Sequence, residues 1–123
     1  MKTMRVLVCL LTLTLGALFL TTPWATQSQA AGTVIYEFRS KICPYCYELA
    51  EILGELSKKY PGQFMVQEYW NERDEAMFKK YDVSLVPTLI ILGPSGRVAF
   101  RHEGAISKDE LVSRLKGLNV IRD

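Results

Sequence analysis

Val34-Ile35-Tyr36-Glu37-Phe38 followed by Cys43-Pro44-Tyr45-Cys46 reads as an apolar strand that hands over to a helix beginning with two thiols. After the second thiol, Leu49, Ile52, Leu53 and Leu56 recur at helical spacing, so Cys43 falls at the junction itself. Pro44 suits the first helical position, where its missing N–H costs nothing. The unpaired backbone donors and positive dipole end at that point favour a thiolate over a thiol. Cys43 is therefore the expected nucleophile, and Cys46, one turn further in and more shielded, the expected resolving cysteine.

Other readings of the pair remain open at this point. A structural staple would close so small a ring that chain entropy supplies only about 2 kcal/mol. A zinc site wants four ligands, and beyond these two cysteines the chain after residue 30 offers a single distant histidine, His102. No metal site is expected within one chain. Two chains sharing an iron–sulfur cluster through paired motifs, or a module that binds a metal or a partner protein without turnover, are the non-enzymatic alternatives.

Residues 1–30 read as a signal peptide. Lys2 and Arg5 form a basic start, Val6 to Leu20 an apolar core, and Ser28-Gln29-Ala30 the small residues of a cleavage site. Cleavage is expected after Ala30, and Cys9 would leave with the leader. The alternative is an uncut membrane anchor facing the periplasm, for which the apolar core is short against the roughly 20 residues of a spanning helix.

The remainder, residues 31–123, is the size of one domain. Removing Lys2 and Arg5 from 15 basic residues balances the 13 acidic ones. That balance argues against an electrostatic nucleic-acid binder. Export would place the thiols where disulfides persist, in the periplasm or outside the cell.

Along the chain, Thr33 to Phe38 is the expected first strand, apolar on both faces as a central strand would be. Arg39 to Ile42 is then the loop presenting the motif. The helix from Pro44 should run to Lys59, with Glu48, Glu51 and Glu55 towards its start and Lys58 and Lys59 at its end, before Tyr60-Pro61-Gly62 stops it. Gln63 to Tyr69 is a second strand, and Glu72 to Tyr81 a short helix with a solvated charged face. Leu89-Ile90-Ile91-Leu92 reads as a buried strand, and Gly93-Pro94-Ser95-Gly96 turns it back through Arg97 to Glu103. Gly104 marks a bulge or sharp exit. Ser107 and Glu110 make a capping box for a last helix with Leu111, Val112, Leu115 and Leu118 on its buried stripe. The expected fold is a four-stranded mixed α/β sheet with helices on both faces, its ligand site at the carboxyl end of a strand.

With the cysteine pair, the Tyr81-Asp82-Val83 approach to Val86-Pro87-Thr88, the hairpin and Gly104-Ala105 before a last helix, the chain resembles the thioredoxin superfamily over nearly all of residues 31–123. The resemblance implies a cis Val86–Pro87 bond beside the cysteines, with the Val86 backbone left to pair with an extended substrate. It also implies that Glu37, placed where thioredoxins carry a buried acid that is usually Asp, takes a proton from Cys46 as it attacks. The chain departs from the family in three ways. The extra strand and helix that usually come first do not fit ahead of Thr33 once the leader is removed. Ile42 stands where Trp is usual, and Pro44-Tyr45 resembles glutaredoxin rather than the usual Gly-Pro. Glutaredoxins, however, usually place Thr-Val before the proline, where this chain has Leu85-Val86. Pro44 and Tyr45, with Val86 and Pro87, would form the substrate surface; His102 would be a plain surface residue.

The activity so implied is thiol–disulfide exchange with other exported proteins, by a monomer that needs no cofactor beyond its own cysteines. A reductant fed by a membrane redox partner is the leading direction, and an oxidase or isomerase the alternative.

Overall fold

In β1 (Thr33–Arg39) alternate side chains take opposite faces, so Ile35, Glu37 and Arg39 share one face while Tyr36 and Phe38 share the other. In this computed structural model, which describes residues 32–123, each face is covered by different helices. After β1 come α1 (Pro44–Lys59), β2 (Phe64–Trp70), α2 (Glu75–Lys80), β3 (Thr88–Leu92), β4 (Val98–Glu103) and α3 (Lys108–Gly117). The expected signal peptide, its cleavage point and Cys9 lie outside the described residues.

The sheet order is β2-β1-β3-β4. β1 and β2 run parallel, joined through α1, while β3 runs antiparallel to β1 and β4 antiparallel to β3. This is the mixed four-stranded sheet expected from the sequence. Ile35, Leu89 and Ile91 pack with Leu49, Leu53 and Leu56 of α1 and Leu111 and Leu115 of α3 on one side. Phe38, Ile90 and Leu92 meet Phe78 of α2 on the other. β3 is buried along its whole length because it supplies both cores.

Two local expectations need correction. The charged segment from Glu72 does not begin a helix there: α2 starts only at Glu75. Residues 71–74 form a turn instead, in which Arg73 and Asp74 donate their N–H groups to the Trp70 carbonyl at 3.0 and 2.7 Å, and the Asp74 carboxylate accepts the Trp70 N–H at 2.8 Å. Asp74 therefore satisfies a backbone donor in a turn, while Glu75, Lys79 and Lys80 form the solvated charged face of α2. In α1 the first turn carries no acidic residue, so only Lys58 and Lys59 at its end complement the dipole.

Gly104 follows β4 with φ +90°, a conformation that side chains rarely adopt. Its N–H donates to the Pro87 carbonyl at 2.7 Å, so this exit ties the end of β4 to the start of β3. Ser107 then caps α3, its Oγ accepting the Glu110 N–H at 3.2 Å. Ser107→Ala should cost about 1 kcal/mol by losing that acceptor. Urea unfolding measures it, and an unchanged midpoint would remove the cap from the account.

Candidate active site

The antiparallel pairing of Phe38 with Thr88 brings the carboxyl end of β1 and the amino end of β3 to the same end of the sheet. The loop carrying Cys43 and the segment carrying Pro87 therefore emerge together. That loop is tied down from the turn after β2: the Glu72 carboxylate accepts from the Ser40 hydroxyl at 2.8 Å and from the Lys41 N–H at 2.9 Å. Those two donors hold its carboxyl below the ordinary range.

Cys43 is the N-cap of α1 and Pro44 its first residue. Cys43 and Cys46 are joined as a disulfide, with Cα atoms 5.3 Å apart. The Cys46 N–H donates to Cys43 Sγ at 3.2 Å, so one orphan donor of the helix start is aimed at this sulfur. Cys43 is half-buried, whereas Cys46 is wholly buried. Reach is thus unequal within the pair.

The Val86–Pro87 bond is cis. Pro87 is buried and Val86 half-buried, just ahead of Thr88, where pairing with β1 begins. The Thr88 hydroxyl donates to the Leu85 carbonyl at 2.6 Å. Arg101, on β4, donates to the Tyr81 and Asp82 carbonyls at 2.6 and 2.9 Å, clamping the approach to this segment. Around the cysteines the surface is apolar and exposed: Ile42 at 90%, Tyr45 at 59% and Leu85 at 50%. His102 is not a plain surface residue; it is half-buried, with Nε2 3.0 Å from the Ala105 carbonyl oxygen and its ring stacked on Phe100.

Glu37 is fully buried on the sheet face that α1 covers, and Cys46 is among the buried residues of that helix. Neither carboxyl oxygen accepts a hydrogen bond among the described residues. Burial pushes its pKa up to about 7, against the opposing pull of the Arg39 guanidinium and with a smaller push from Glu68. Arg39 was expected in the loop. It is the last residue of β1 instead, because its position two after Glu37 puts it on the same face, where Trp70 is its register partner. Arg39 Nη1 lies 3.5 Å from Glu37 Oε1 and 3.0 Å from Glu68 Oε1. Its guanidinium carbon sits 4.4 Å from the Trp70 ring centre and 5.1 Å from that of Tyr47. The two-residue spacing of Glu37 and Arg39 was the available signal for this cluster, and the strand boundary drawn at Phe38 hid it.

A family model described as Thioredoxin matches residues 21–117. The chain belongs to the thioredoxin family. The match begins ahead of the expected cleavage point and runs through α3. Thioredoxin of Pseudomonas aeruginosa is 29% identical over 87 residues, which span 71% of this chain and 80% of that protein. Among solved structures, one described as a malarial protein shares 21% identity at a TM-score of 0.65, over 70% of this chain and 96% of its own. Another, thioredoxin-2, described as a component of malaria parasite protein secretion machinery, shares 21% at 0.66, over 70% and 82%. Likeness at that identity speaks for the fold. Family membership together with a Cys43–Cys46 pair at disulfide distance supports a thiol–disulfide redox function.

Proposed function

We propose that this protein is an exported thiol–disulfide oxidoreductase that reduces disulfides in other exported proteins. The observation that carries the reading is the asymmetry of the pair: a half-buried Cys43 whose sulfur accepts the Cys46 N–H at the helix start, and a wholly buried Cys46. In the reduced protein the Cys43 thiolate attacks a partner disulfide, and the first partner sulfur leaves as a thiolate. Cys46 then gives a proton to Glu37 and attacks Cys43 Sγ, releasing the second partner sulfur. The partner gains two electrons, the pair loses two, and a membrane redox partner restores the dithiol. Ile42, Tyr45 and Leu85 supply an apolar rim for the partner, and Pro44, Val86 and Pro87 its backbone contacts.

Export rests on Lys2, Arg5, the apolar run and Ser28-Gln29-Ala30. The whole chain, expressed with its leader and recovered from the periplasm, should begin at Ala31 and reduce insulin catalytically with dithiothreitol. An amino terminus at Met1 would overturn cleavage. Stoichiometric metal without turnover would replace the enzyme with a binding module.

A further inference from the structure

Glu37, Arg39, Glu68 and Trp70 share one sheet face, and Tyr47, the residue after the buried cysteine, reaches the same guanidinium from α1. The arrangement holds two carboxylates to one cation. Glu68 has the closer contact, 3.0 Å against 3.5 Å, and is 45% exposed, so water supports its charge. Glu37 has the longer contact, no hydrogen bond among the described residues and no water access. Arg39 itself is 3% exposed, and its guanidinium carbon lies close to both the Tyr47 and the Trp70 rings.

We infer that Arg39 is a positioning residue for disulfide exchange: divided between Glu68 and Glu37, it sets the charge state of the Glu37 carboxyl that serves Cys46. Undivided, the cation would hold Glu37 ionised and make it a poor proton acceptor. Absent, burial would keep Glu37 protonated and unable to accept at all. Shared, it leaves the carboxyl poised near neutrality, in keeping with its raised pKa. The charged groups acting on Glu37 among the described residues are Arg39 from its own strand and Glu68 from β2. β3 and α3 bring Leu89, Leu111 and Leu115 to the core on that face, and the buried residues of α1 include Cys46.

The inference rests on the proposed role of Glu37, and one experiment separates the two. Carbon-13 NMR of the Glu37 carboxyl, assigned by its loss in Glu37→Gln, gives the midpoint directly in the reduced protein. Arg39→Gln should raise that midpoint and Glu68→Gln should lower it, each by about one pH unit. Glu68 is half-exposed, so its variant retains the fold even if Arg39→Gln does not. Midpoints that stay put, a rise in Glu68→Gln, or shifts in one common direction would overturn the inference. The pH profile of mixed-disulfide resolution should move with the midpoints. Midpoints that shift in opposite directions beneath an unmoved profile would uphold the Arg39 assignment and overturn Glu37 as proton acceptor.

Discussion

Cys46→Ser should accumulate stable mixed disulfides through Cys43, while Cys43→Ser should trap almost nothing, and both variants should lose turnover. The helix start offers the Cys46 N–H to the Cys43 sulfur, and Cys46 has no exposed surface from which to meet a partner. With Cys46 replaced, the first attack proceeds and nothing inside the protein can complete the exchange. With Cys43 replaced, the remaining thiol is out of reach. Unfolding is not the cause of either loss. So short a ring contributes only about 2 kcal/mol, and the apolar clusters that hold the sheet to its helices are built from other residues. Capture of partners from cells expressing each variant, run on non-reducing gels with mass spectrometry of the bands, reads the outcome. Preferential trapping through Cys46 would reverse the assigned roles.

Glu37→Gln should stabilise the protein by about 3 kcal/mol at pH 8 and change little at pH 4. The carboxyl ionises near 4.5 in the unfolded chain and at about 7 in the folded one, where burial opposes its charge. Below the lower value both states hold the proton and folding bears no penalty. As pH rises through this window the unfolded state releases its proton first, and stability falls until the folded carboxyl also ionises. Glutamine removes that cost, and Arg39 keeps Glu68 as its counter-ion. The same substitution should slow resolution of the mixed disulfide above pH 7 while leaving the first attack intact, because in the proposed mechanism only the second step uses the carboxylate. Urea unfolding at the two pH values tests the first part and stopped-flow kinetics the second. An equal stability change at both pH values would show that the carboxyl titrates normally, and equal slowing of both steps, or of neither, would remove its role.

A buried residue that titrates near neutrality at a cost in stability is the mark of a site, and its position had a local signature. Glu37 interrupts an apolar strand six residues before Cys43, which the sequence shows directly. What surrounds it does not show there. Glu68 reads as a mixed-pattern strand residue and Tyr47 as a helix residue among acids. Arg39 seemed to begin a loop. They meet because β1 and β2 pair in parallel with Glu37 opposite Glu68 and Arg39 opposite Trp70, a register that only the packed sheet defines.

Local chemistry determined the course of the chain: the apolar runs, Pro44 at a helix start, Tyr60-Pro61-Gly62 at its end, and the Gly93-Pro94-Ser95-Gly96 turn each act on their neighbours alone. The elements, the mixed sheet and the cysteine pair were legible for that reason. Tertiary structure decided the sharing of Arg39, the anchoring of the motif loop by Glu72, and the tie from Gly104 to Pro87. Each joins groups from different strands or loops, and the strength of a charge or hydrogen bond depends on distance and burial that no sequence spacing specifies.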